Sequence, residues 1–275
     1  MTVVLAIAGK EIREGLRNRW IVAITLLLGV LALTLSFLGS APTGEVGASP
    51  LAVMVVSLSS LTIFLVPLIA LLLSHDAVVG EAERGTLLLL LSYPVSRWQI
   101  ILGKFAGHLV ILAVATVVGY GAAGLALGLI GGGIGEGWAA FALMVGNSVL
   151  LGAVFLAIGY AISALAGDRG VAAGVALGIW LLFALVYDMV LLGVLVVDQG
   201  ALVTPVVLNA LLMLNPADVY RLLNLTASED ARLLAGMAGV AADASPGPRL
   251  LLAALAAWIA LPLALASTLF ARRQL

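Results

Sequence analysis

Few residues in this chain have the type and spacing that chemistry needs. No GxxxxGKS or GxxxxGKT run offers backbone N–H groups and a lysine to phosphates, and the glycine cluster Gly131-Gly132-Gly133 with Gly135 contains no lysine. HExxH and GxSxG are absent too, so neither a zinc hydrolase helix nor a serine nucleophile elbow is encoded. The chain has no Cys, which excludes disulfides, thiolate metal sites and a cysteine nucleophile. Met54, Met144, Met189, Met213 and Met237 show no MxM or MxxM spacing, so they read as core filling rather than Cu(I) ligands. No catalytic residue, metal site or bound cofactor of its own is expected, and the chain reads as a non-enzyme. Two isolated polar residues remain. Asp188 stands inside an apolar run, where a carboxylate is a functional candidate by default. It reads as a buried acid bonded to a hydroxyl or backbone group near the outer leaflet, with proton relay or ligand contact as the alternative. His108, deep in another apolar run, reads as an interhelical hydrogen-bonding group rather than a metal or proton site.

The densest chemistry lies in Gly80–Lys104, GEAERGTLLLLLSYPVSRWQIILGK. A charge at a bilayer centre costs about 2.5–3.5 kcal/mol on insertion scales. His75, Asp76, Glu81, Glu83, Arg84, Arg97 and Lys104 therefore do not all sit in hydrocarbon. The block Leu87–Leu91 is too short to span, since spanning takes roughly 20 apolar residues. The segment is thus expected to lie against the membrane, one face apolar and one offered to a partner.

The surrounding elements are membrane spans. With 63% hydrophobic and 10% charged residues and a mean hydropathy of +1.23, the chain is far more apolar than a soluble domain. Its net charge of -1 argues neither for nucleic acid nor for an acidic ligand, and no nucleic-acid partner is expected. Six spans are predicted, at Trp20–Leu38, Leu51–Leu73, Ile100–Ile130, Trp138–Leu165, Val171–Val197 and Leu250–Phe270. Lys10, Arg13, Arg17, Arg19, Arg84, Arg97, Lys104, Arg169, Arg272 and Arg273 alternate with two loops free of Lys and Arg. The positive-inside rule then puts both termini in the cytoplasm. Val4, Ile7, Ala8, Ile12, Gly15 and Leu16 share one helical face and Lys10, Glu11, Arg13, Glu14 and Arg17 another, which predicts an interfacial helix over residues 1–19 rather than a cleaved signal. Three glycine patterns suit close helix packing: Gly103 with Gly107, Gly124 with Gly128, and Gly170, Gly174 and Gly178. The last is the favoured one.

Residues 198–248 form a long external segment with legible caps. Asn215, Pro216 and Asp218 provide a cap, a proline at the first helical position and an acid near the positive dipole end. Thr226 with Glu229 repeats a capping box. Two short amphipathic helices at the outer surface are expected. Asn215, Pro216, Asp218 and Arg221 are the candidate contact for an external partner, with a lid seated on lipid as the plainer reading.

The run Glu83-Arg84-Gly85-Thr86-Leu87, then Leu91-Ser92, Pro94, Ser96-Arg97 and Gly103-Lys104, closely resembles the coupling region of ABC-2-type permeases. The resemblance covers essentially the whole chain and implies an all-α, six-span, type V exporter-like permease, one domain over 1–275. It implies an N-terminal elbow helix over 1–19, a cytoplasmic coupling helix within 75–99 and the external loop over 198–248. Glu81, Glu83, Arg84, Gly85, Thr86, Leu87, Leu88, Leu91, Pro94 and Arg97 would then meet the ATPase, although many members carry an acid where Leu88 stands. ATP and Mg would sit on two partner ATPase subunits below a permease homodimer in the lipid of a bacterial inner membrane. Within the family, the order of the coupling block, Asn215-Pro216-Ala217-Asp218 and the terminal Arg272-Arg273 resemble the branch that serves copper-site maturation of nitrous oxide reductase. That branch implies a periplasmic β-helical partner and a copper chaperone. The alternatives are a permease exporting lipid, peptide or drug, an ion-coupled carrier using Asp188 and His108, and a membrane scaffold.

Overall fold

The computed structural model describes residues 2–17, 19–39, 50–130, 137–198, 203–226 and 246–272. These residues are helical apart from short turns. Helix α1 (Thr2–Arg17) precedes α2 (Arg19–Gly39) and α3 (Pro50–Ser74). Two short helices, α4 (Val79–Glu83) and α5 (Thr86–Leu91), lead into the long α6 (Arg97–Ile130) and then α7 (Trp138–Leu165). Helix α8 (Arg169–Leu181) continues through a π-helical turn (Leu182–Val186) into α9 (Tyr187–Asp198). A bent pair follows, α10 (Pro205–Met213) and α11 (Pro216–Thr226), before α12 (Pro248–Arg272).

Among the described residues, five helical stretches are long and apolar enough to cross a membrane. They are built on α3, α6, α7, α8–α9 and α12 and match five of the six predicted spans. The first predicted span coincides with α2, 21 residues long, whose described apolar stretch is Ala23–Thr34. The chain is therefore a multi-pass membrane protein with five to six apolar helices.

Helix α7 is the axis. It packs against α3, α6 and α12, and most of its side chains are buried. Close approach to it depends on glycine. A Cβ on Gly152 would overlap Leu112, and one on Gly159 would overlap the Ser74 hydroxyl, which is already donated to the Ala70 carbonyl. Other glycines seat α1, since added Cβ atoms at Gly103 and Gly107 would fall 2.7 Å from Ile7 Cβ and 2.5 Å from Glu11 Cβ. Gly124 and Gly128, also on α6, meet Phe141 and Trp138 as closely, so both α6 pairs make tight contacts. Gly174 and Gly178 face open space in this chain, because α8 meets its neighbours chiefly through Ala172 and Ala176.

Two expectations change. The first concerns α11, which begins as predicted: Asn215 Oδ1 accepts from Ala217 N at 3.0 Å and Pro216 is the first helical residue. It does not lie on a surface, however. Pro216 to Tyr220 and Leu222 to Leu225 are buried against α3, α7 and α12. Helices α10 and α11 meet at 114°, and Asn215 at their junction reaches the carbonyl of Phe183, midway along the α8–α9 span. Helix α11 enters the bundle, where Asn147 and Ser148 of α7 meet Asn224 Oδ1 and Tyr220, whereas α10 buries no residue. The second expected external helix, from Thr226, falls outside the described residues. The other change concerns α1, whose acidic Glu11 turns inward while Leu16 is exposed.

A glycine-to-valine change at 159 is expected to lower thermal stability of the detergent-solubilised chain by about 1–3 kcal/mol through overpacking. Gly121→Ala, which meets nothing within 4 Å, should leave the melting temperature unchanged.

Candidate functional site

The ends of α1, α3, α7 and α12 and the starts of α6 and α8 gather the charged residues at one end of the bundle, around α4 and α5. Gly85, with φ +72°, separates the two short helices; a left-handed residue without Cβ strain lets the chain turn between them. Helix α5 directs Leu87 into the core and leaves Leu88 and Leu89 57% and 69% exposed. Tyr93 and Trp98, 68% and 52% exposed, extend the same apolar surface. Glu83, Arg84, Thr86 and Pro94 are exposed beside it. The expected partner-facing set thus divides. Glu81, Leu87 and Arg97 face the protein, Gly85 makes the turn and Leu91 is half-buried. Arg97 donates to the Phe270 and Ala271 carbonyls at 2.6 and 3.2 Å and lies 5.5 Å from the Phe270 ring, holding the end of α12.

Lys104 locks this surface to the bundle. The residue is 3% exposed, and its ammonium donates to Glu11 Oε1 at 2.7 Å and to Glu81 Oε1 at 2.8 Å. One buried cation thereby joins α1, α4 and α6. Lys10 adds a second cation 3.6 Å from Glu81. His108 stands 3.5 Å from Glu11 Oε2, and its Nδ1 shares a 2.8 Å hydrogen bond with Tyr160 on α7. Burial raises the Glu11 carboxyl, but contact with His108 and the charge of Lys104 outweigh it, and the net shift is down to about 2. Gly107 makes the arrangement sterically possible, since it sits directly beneath Glu11. His108 thus meets Tyr160 on α7 and Glu11 on α1.

Further ties hold α4. The Ser163 hydroxyl on α7 accepts from Val78 N and Val79 N at 2.9 and 3.1 Å. On α8, the Arg169 amide donates to Glu83 Oε1 at 2.9 Å and the Arg169 guanidinium to the Gly80 carbonyl at 3.1 Å. The short segment is therefore fastened to α1, α6, α7 and α8 together.

A second polar cluster lies where the re-entrant pair meets α8–α9. Asp188 pairs with Arg221 at 2.9 Å, and Arg221 also holds Asp218 at 2.6 Å. Asn215 Nδ2 donates to Asp218 at 3.0 Å and to the Phe183 carbonyl at 3.1 Å. In the π-turn the Tyr187 N–H bonds the Leu182 carbonyl, five residues back; such turns alter which carbonyls the helix itself satisfies. Tyr187 then reaches the Leu211 carbonyl at 2.6 Å. Asp188 is thus ion-paired rather than bonded to a hydroxyl or backbone group. Of the four residues expected at an external contact, Asn215, Pro216 and Asp218 are buried, and only Arg221 is partly exposed.

A bundle of apolar helices with a charged, partly apolar surface at one end defines a multi-pass membrane protein. Comparison with known proteins agrees: residues 5–275 match the family model described as ABC-2 family transporter protein, and the chain belongs to that family. It is similar to the proteins named probable ABC transporter permease protein NosY from Stutzerimonas stutzeri and Pseudomonas aeruginosa. The first is 48% identical over 276 residues, 99% of each chain, and the second 48% identical over 277 residues, the whole of each. The chain is accordingly an ABC transporter permease, the membrane part rather than the ATPase.

Replacing Lys104 with Met leaves Glu11 and Glu81 buried without their shared cation, and a loss of about 3–5 kcal/mol is expected in thermal or denaturant unfolding. Acid acts on the same joint. The folded Glu11 pKa lies below its ordinary 4.5, so its contribution is full above pH 4.5 and falls as pH drops toward 2. Glu11→Gln should flatten that part of the stability–pH curve measured by intrinsic fluorescence.

Proposed function

We propose that the charged end is the docking face for a cytoplasmic ABC ATPase and that this permease passes the ATPase's motion outward. One observation carries the reading. Leu88, Leu89, Tyr93 and Trp98 form an apolar surface flanked by Glu83 and Arg84, on a segment fastened to four helices. A loosely held loop would absorb displacement, whereas one tied by a buried cation, a hydroxyl and an arginine moves with the helices as a rigid body. Through Arg169 the motion enters α8, and through Asp188 and Phe183 it reaches the re-entrant pair.

On this reading both termini are cytoplasmic in a bacterial inner membrane. Residues 1–19 form the elbow, 75–99 the coupling region and 198–248 the periplasmic segment of one permease domain. A homodimer carries two ATPase subunits, which bind the ATP and Mg. Likeness to the two NosY proteins, with the branch resemblance in the sequence, supports a role in copper-site assembly of nitrous oxide reductase. A periplasmic β-helical protein and a copper chaperone would be the outer partners. They would meet the outer segment through exposed parts such as Arg221 and α10, since Asn215, Pro216 and Asp218 are occupied within the bundle.

Co-purification tests the reading. Changing Leu88 and Leu89 to Glu removes two apolar anchors worth about 1.5–3 kcal/mol each when fully buried, so recovery of the ATPase should fall at least tenfold. The pair Glu83→Lys with Arg84→Glu should have a smaller effect, because exposed ion pairs contribute about 0–1 kcal/mol. ATPase recovery unchanged by the leucine variants would sink the docking assignment.

A further inference from the structure

Helix α8 and its continuation α9 are held differently from the central span. Their most apolar stretch is 6% buried within the protein, against 67% for α7. Along α8 only Ala172 and Ala176 are buried, and α9 buries no residue. Such a span is positioned at points rather than along a seam. The Arg169 amide and guanidinium fix its start to Glu83 and the Gly80 carbonyl. Tyr187 and Asp188 fix its far part to the Leu211 carbonyl and Arg221. Between them, Trp180 Nε1 donates to the Phe64 carbonyl of α3 at 2.9 Å.

That middle tie sits where both helices depart from regular geometry. Pro67 gives α3 no N–H for the Ile63 carbonyl and crowds the turn before it, beside the carbonyl that Trp180 reaches. Two residues beyond Trp180 the π-turn Leu182–Val186 begins, and π-turns are among the few places where helices kink. Within the turn, Phe183 rests edge-on against Phe155 of α7 and Trp258 of α12, with ring centroids 6.1 and 5.5 Å away. An indole N–H in apolar surroundings costs free energy when it has no acceptor, which favours keeping the bond to Phe64. At about 1.5 Å per residue, Trp180 lies about 16 Å from Arg169 and about 12 Å from Asp188 along the span. Two arms of similar length thus meet at one anchored point that can bend. We propose that Trp180 is the pivot of α8–α9: anchored on α3, it makes the Asp188 arm swing when Arg169 is displaced. This rests on the docking face proposed above, because the displacement enters from α4. Trp180 is then a positioning residue that sets where the span bends. Without its anchor the turn would absorb the movement of α8, and the Asp188 arm would stay in place.

The test is a distance measurement in the full permease–ATPase complex. Because the chain has no Cys, spin labels on introduced pairs read single distances by double electron–electron resonance. Val171→Cys on α8 or Val190→Cys on α9 is paired with Val118→Cys on α6, all at exposed positions. Each complex contains one labelled chain and is measured with and without a non-hydrolysable ATP analogue. Nucleotide should shift both distances when Trp180 is present. Trp180→Phe should keep the Val171 shift and lose the Val190 shift. So should the benzothiophene analogue of tryptophan incorporated at 180, which keeps the ring shape and lacks the N–H. A Val190 shift that survives both changes would overturn the pivot, as would an α8 that stays still with Trp180 present. ATPase recovery from the same preparations separates the two readings. Full recovery with either of those results overturns the pivot alone, whereas no recovery with Trp180 present overturns the docking face and the pivot with it.

Discussion

A lysine only 3% exposed at the end of a helical bundle is the constraint on which the charged end depends. Removing Lys104 from water carries a desolvation cost that only close anionic partners offset. Glu11 and Glu81 supply them from two different helices, 93 and 23 residues earlier in the sequence. Neither carboxylate suits burial alone, and the cation does not suit it without them. The three groups therefore specify one arrangement of α1, α4 and α6. Gly103 and Gly107 let α1 approach closely enough for that arrangement to form.

A similar economy governs the other polar cluster. The π-turn interrupts the regular hydrogen bonding of the α8–α9 span, and Asn215 donates to a carbonyl within that turn. Arg221 then stands between two carboxylates, Asp188 and Asp218, as Lys104 does between Glu11 and Glu81. In each place a cation joins helices that apolar packing alone would leave free to slide. Alanine contacts along α8 offer little resistance to sliding, so its register rests on polar ties: Arg169 to Gly80 and Glu83, Trp180 Nε1 to the Phe64 carbonyl of α3, and Asp188 beyond the π-turn. The proposed relay of motion uses these ties.

The spans were legible because roughly 20 consecutive apolar residues leave little alternative; predicted and observed limits differ by few residues. The Asn215-Pro216 cap was legible because capping is local chemistry. What sequence did not reveal was tertiary. Glu11 shares a helical stripe with solvent-facing charges, and its inward role appears only once Lys104 lies across from it. A signal was present nonetheless, since Lys104 and His108 lie one turn apart at the edge of an apolar run and a buried lysine requires an acid. The polar character of α11 read as a surface helix, although Ser148 meets Tyr220 and Asn147 donates to Asn224 Oδ1 inside the bundle, and Arg221 holds Asp218. Glycine spacing did not show which contacts form within the chain: Gly103, Gly107, Gly124 and Gly128 each meet a neighbouring helix closely, whereas Gly174 and Gly178 of the more regular triple pattern meet nothing within 4 Å of an added Cβ.

The central claim is that an ATPase covers the apolar surface on α5 from the cytoplasmic side. Because the chain has no Cys, a single Leu89→Cys substitution reports this position alone. Membrane-impermeant maleimide should label it in inside-out vesicles, and not in sealed right-side-out ones. Added ATPase subunit should suppress that labelling. Labelling from the opposite face, or a rate unaffected by bound ATPase, would contradict the account.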